Sequence, residues 1–123
     1  MGRIILVALV GLLLAVVPAT AQAIRNPSVA TFTASVDHAQ IDKYVIGYFL
    51  PGASAPVQTA DLGKPTPDAT QTCQVTLNTM PLSFGKDYTA KVKAVAGTAE
   101  SDWSSPSNFF DRAPGPPSKP VVK

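Results

Sequence analysis

Four side chains in this sequence invite a functional reading by type and placement: His38, Glu100, Asp102 and Trp103. His38 follows Asp37 directly, with Ser35 and Ser54 as candidate nucleophiles for a hydrolytic triad. A triad needs an imidazole held between a nucleophile and an orienting carboxylate, and adjacency of Asp and His in a turn supplies neither relation. His38 is expected to be a solvated turn residue, and the chain is not expected to be an enzyme. Trp103, the only tryptophan, sits in AESDWSSPSNFF, residues 99–110. Its ring either lies over the aliphatic stems of Lys91 or Lys93, a contact contributing about 0.5–1 kcal/mol at an exposed site, or joins Asp102, Glu100 and the loop holding His38 in a ligand surface at one end of the fold. Loss of stability with retained binding in Trp103→Ala marks the first of these.

The remaining chemistry is sparse. Cys73 is the single cysteine, so no internal disulfide forms; buried small hydrophobe, intermolecular disulfide and reactive thiol are the three readings, and strand register favours the first. One His and one buried Cys cannot supply the three or four ligands of a zinc site. The aspartates at 37, 42, 61, 68, 87, 102 and 111 stand singly, outside any calcium-loop pattern, and suit turns and caps. No Arg-Gly-Asp stretch and no glycine-rich phosphate loop occurs, and Pro27 spoils the only candidate glycosylation sequon, at Asn26. No cofactor is expected.

The elements that must position these residues begin after a leader. Arg3 precedes an apolar run from Ile4 to Val17, then Pro18 and the small residues up to Ala23. The run is short of the roughly 20 residues a membrane span needs, so residues 1–23 are expected to be a secretory signal peptide, cleaved after Ala23 or Ala21. The mature chain is expected outside the cell or at its surface, or in the periplasm of a Gram-negative bacterium, without membrane insertion. The whole chain carries 10 Lys and Arg against 8 Asp and Glu, and removing Arg3 leaves it near neutral. Nucleic acid and anionic membranes, which demand clustered Lys and Arg, are not expected partners. About 100 residues suffice for one domain with a single core and a stability margin of only a few kcal/mol.

Apolar residues recur with period two and nowhere with helical spacing, which predicts an all-β chain. Strands are expected over Val29–Val36, Lys43–Leu50, Val57–Leu62, Gln71–Asn78, Tyr88–Ala96 and Ser104–Phe110, separated by Gly, Pro, Asn, Asp and Ser. Such spacing points to a two-sheet antiparallel sandwich of six to seven strands. Parity places Tyr44, Ile46 and Tyr48 inward, likewise Tyr88, Ala90, Val92 and Ala94, with Lys91 and Lys93 on the wet side. Cys73 shares its face with Val75 and Leu77.

At these residues the chain resembles a fibronectin type III domain. LSFGKDYTAKVKAV, residues 82–95, is similar to the stretch in which a Leu precedes a corner Tyr with a turn Gly between; Leu82, Gly85, Tyr88, Val92 and Ala94 match. DKYVIGYF, residues 42–49, resembles the family's third strand, and SDWSSPSNFF its final hairpin. The resemblance covers about residues 29–110 and implies an immunoglobulin-like sandwich over residues 24–112. Phe32 stands where the family has a core Trp, and only Ile24–Ser28 precede that strand, so the first strand is short or missing. Residues 113–123, APGPPSKPVVK, form a Pro-rich tail resembling an inter-domain linker. An open edge beside Val29–Val36 is then available to the PVVK segment, in cis or from a neighbouring chain, or to a partner's strand.

Two functions follow: an exported interaction module binding a protein or glycan through the loops of His38 and Trp103, or a structural spacer docking through its open edge and tail. A hydrolase accessory part needing a separate catalytic partner is a distant third.

Overall fold

The computed structural model describes residues 24–123; the expected signal peptide lies outside the described residues. These form eight short strands and one 3₁₀ turn: β1 (Ile24–Arg25), β2 (Val29–Thr33), the turn (His38–Gln40), β3 (Lys43–Phe49), β4 (Gln58–Gly63), β5 (Thr72–Thr76), β6 (Asp87–Ala96), β7 (Ala99–Glu100) and β8 (Phe110–Asp111). The larger sheet runs in the order β1-β8-β6-β3-β4, with β7 also on β6; the smaller contains β2 and β5. Every contact between strands is antiparallel except β1 with β8, where Ile24 faces Phe110 and Arg25 faces Asp111 in parallel. No helix among the described residues is long and apolar enough to cross a membrane.

Period-two patterning explains most of these elements. Ile46, Tyr48, Leu82, Tyr88, Ala90 and Phe110 make the central cluster, with Leu50, Leu62, Leu77 and Val92 packed on it. Each large apolar side chain so buried contributes about 1.5–3 kcal/mol. The Tyr88 hydroxyl is satisfied by the Ser83 N–H at 3.1 Å. Arg112 holds the loop before β6 in place: Nη1 donates to the carbonyls of Met80 and Leu82, both at 2.9 Å, while its guanidinium lies 4.5 Å from the Phe84 ring centroid.

Apart from end shifts of one or two residues and the unexpected β7, the strands differ from the sequence reading in three places. β2 stops at Thr33, because the Ser35 N–H turns to the Tyr44 hydroxyl at 2.9 Å and takes the chain out of the sheet; Val36 is left exposed. The last strand is regular only at Phe110–Asp111. The segment before β2 is present, but as a two-residue strand on β8 instead of on β2. The turn between them passes through Asn26, at φ 50°, a left-handed conformation that Asn tolerates.

The parity of β3 is also fuller than expected. Tyr44, Ile46 and Tyr48 are buried, yet so are Val45 and Phe49 on the opposite face. Both faces of β3 are covered.

Candidate functional site

Trp103 covers the second face of β3. Its ring meets Phe49 edge-on with centroids 5.3 Å apart, and Lys93 Nζ sits 4.7 Å from its centroid. Lys91 lies over Phe49 instead, 4.5 Å from that ring. Lys93 also pairs with Glu100 at 2.7 Å, so Glu100, Lys93, Trp103, Phe49 and Lys91 form one continuous row in which charged groups flank the two rings. Gly47 makes the row possible: a Cβ there would stand 2.9 Å from Trp103 Cη2 and 3.0 Å from Phe49 Cε1. The two lysines are half-buried where the alternation suggested a wet face.

The four candidate ligand residues are held by different contacts, although Glu100 lines one cleft with Asp37 and Gln40 of the His38 turn. Trp103 and Glu100 are engaged in the row. Asp102 lines a cleft between the two sheets. His38 is half-buried, its Nδ1 2.9 Å from the Tyr44 hydroxyl and its ring stacked on Tyr44 at 5.8 Å. Asp37 contributes its main-chain groups to the turn, its N–H going to Ser35 Oγ and its carbonyl to the Gln40 N–H. The imidazole is thus oriented by a phenol and not by the neighbouring carboxylate. Tyr44 completes the group by meeting Phe32 edge-on at 4.8 Å, and burial pushes its hydroxyl above the usual phenol range.

Cys73 is fully buried, and its thiol is likewise pushed upward, first by burial and then by the nearby Asp68 carboxylate. A thiol so held is a poor nucleophile. Asp68 is held low by the Thr70 hydroxyl and by the N–H groups of Thr72 and Thr70, an arrangement that orders the loop beside the far edge of β5.

A feature the sequence reading missed links these pieces. Ser101, Ser104 and Ser107 each donate their N–H to a β6 carbonyl, of Ala94, Val92 and Ala90 respectively, at 2.8–2.9 Å. Each hydroxyl then accepts the N–H of that same β6 residue, at 2.8–3.0 Å. Three residues on one side span two on the other, and the serine hydroxyls stand in for the missing main-chain acceptors. The spacing of three serines by three residues is visible in the sequence, but it looks like ordinary loop composition until β6 is placed beside it.

Between this serine-bonded segment and β2 runs an open seam. At one end, a cleft of about 300 Å³ has Phe32 and Thr33 on one wall and Ser101, Asp102 and Ser104 on the other, above Tyr44 and Val92. At the other, a cleft of about 260 Å³ has Val29, Ala30 and Thr31 facing Ser107 and Asn108, above Ala90. Residue pairing on β5 fixes what the wall offers. The Leu77 N–H bonds to the Ser28 carbonyl and the Ala34 N–H to the Gln71 carbonyl, which sets Ser28, Ala30, Phe32 and Ala34 as the bonded positions. Val29, Thr31 and Thr33 therefore turn their N–H and C=O groups outward, and no described strand pairs with them.

The edges at β4 and at the far side of β5 are protected. β4, at the end of the larger sheet, carries Asp61, paired with Lys43 at 2.9 Å, and a register shift at Tyr44/Val45. The far side of β5 meets the Asp68 loop, whose N–H bonds to the Thr72 carbonyl at 3.0 Å. β2, with the sequence VATFT, has neither charge nor proline nor bulge. An uncharged, β-prone, unpaired edge is a template for another strand.

Comparison with known proteins finds no matching family model, no matching curated protein and no matching solved structure.

Proposed function

We propose that this chain is a non-catalytic, exported interaction module with a fibronectin type III-like sandwich, and that it engages protein by accepting an extended strand along β2. The carrying observation is the outward row of backbone groups at Val29, Thr31 and Thr33 beside an apolar-floored seam. Main-chain bonds then supply affinity and the seam supplies side-chain pockets, the usual division in strand addition. The sandwich topology is supported by the Tyr88 bond back to Ser83 and by the order of β3, β4, β6 and β8 in one sheet opposite β2 and β5. Docking through the edge is favoured over contact through the loop end, since Trp103 and Glu100 are already engaged with Lys93. His38 bonded to Tyr44 and Cys73 buried support a non-catalytic role.

The test is Thr31→Pro. Its N–H points away from β5, so proline removes an outward donor and leaves the β2–β5 ladder intact. Pull-down from culture supernatant and cell envelope, with amide exchange at Val29, Thr31 and Thr33, is expected to show protected amides in the complex and loss of capture in the variant. Capture unchanged by Thr31→Pro overturns the reading.

A further inference from the structure

We infer that the strand taken up by β2 is Ser118–Lys123 of a second copy of this chain, an inference that rests on the strand-acceptor reading above. A donor must bond to Val29, Thr31 and Thr33, set apolar groups over the seam and keep its other side compatible with water. In an extended segment, alternate residues direct their backbone groups to opposite sides. With Lys119, Val121 and Lys123 bonding to β2, Pro120 and Val122 direct theirs to solvent. Pro120 then occupies a position where its missing N–H breaks no ladder bond, which is where edge strands accept proline. The same parity gathers the Pro120 and Val122 side chains on one face and both lysines, with Val121 between them, on the other. With the first face over the seam, the apolar pair covers Phe32 and Val92 and the lysines stay wet. A one-residue slip would aim Pro120 at β2 and bury the lysines, so the pattern specifies one parity of pairing.

The tail is free to do this: Pro114–Lys123 are exposed throughout, Val122 at 94 %. Its own β2 is the wrong acceptor. Ala113 is tied to Asn26 Oδ1 at 3.0 Å, beside the start of β2, and the chain arrives there from β8. Val29–Thr31 face Ser107 and Asn108 while Phe32 and Thr33 face Ser101–Ser104, so β2 runs opposite to the segment leading into the tail. Pairing in cis needs a full reversal within Ala113–Pro117, where Pro114, Pro116 and Pro117 hold φ near −65° and favour an extended path. A tail leaving one end and an acceptor edge on the flank make a head-to-tail contact, which builds an open chain when the rotation between copies does not close a ring.

Sedimentation of the purified protein, as processed by the expressing cell, over a concentration series reads this directly. The expected result is a ladder of species lengthening with concentration. Val121→Pro, which removes an N–H aimed at β2, weakens association at least tenfold, whereas Val122→Pro, whose N–H points to solvent, changes it less than about twofold. Protection of the Val29, Thr31 and Thr33 amides appears in step with association. A monomer at every concentration overturns the inference, whether those amides exchange freely or are protected by the chain's own tail. Equal effects of the two proline variants overturn it as well. A protein lacking residues 113–123 that still takes a foreign strand on β2 would keep the acceptor reading while removing this occupant.

Discussion

At Gly47 the main chain of β3 passes directly beneath the Trp103 indole, and a single methyl group there meets Trp103 Cη2 at 2.9 Å and Phe49 Cε1 at 3.0 Å. Gly47→Ala is expected to destabilise by about 1–3 kcal/mol in chemical denaturation, since overpacking a filled site forces rings off their rotamers. Trp103→Ala loses a ring that is only half-buried and is expected to cost about 2 kcal/mol, below the range for core aromatic truncations, with partner capture retained. Loss of capture at unchanged stability would return Trp103 to a ligand surface. Cys73, Tyr44 and Tyr48 are all pushed upward by burial, so the folded state prefers each neutral. Their contribution is fully present below the unfolded values, about 8.5 for a thiol and 10 for a phenol, and declines as pH rises through the higher folded ones. Urea midpoints are expected to fall from about pH 8.5 upward, and Cys73→Ala is expected to remove the earliest part of that fall.

At the scale of elements, the final segment is bonded to β6 by three serine hydroxyls instead of by a regular ladder. Replacing one by Ala leaves a β6 N–H without its acceptor, at about 1 kcal/mol. Ser107→Ala is expected to exceed Ser101→Ala, because the Ala90 N–H it serves is part-buried while the Ala94 N–H is exposed. Amide exchange at Ala90, Val92 and Ala94 checks each rung separately, and equal exchange in variant and parent would show that the hydroxyls carry none of the bonding. That Ser104–Phe110 runs beside the sheet was legible from the resemblance of SDWSSPSNFF to a final hairpin, although only Phe110–Asp111 is a regular strand. Its period-three bonding was not, because a serine's role depends on which backbone group lies opposite.

For the whole molecule, the tail is exposed from Pro114 onward, and none of its residues belongs to the buried core. Deleting residues 113–123 is therefore expected to leave the melting temperature of the dilute protein within a degree or two while abolishing self-association; unchanged association would reduce the tail to a tether. The alternation of Tyr44, Ile46 and Tyr48, of Cys73 and Val75, and of Tyr88 and Ala90 determined, from sequence alone, a β-rich chain with one interior, because parity in a strand sorts side chains without reference to any partner. Only the tertiary structure decided that Ile24–Arg25 pair with β8, that Glu100 and Trp103 share Lys93 while Asp102 faces the seam, and that His38 turns to Tyr44. Those outcomes depend on which strands become neighbours, and neighbours distant along the chain are chosen by the packing of the whole sandwich.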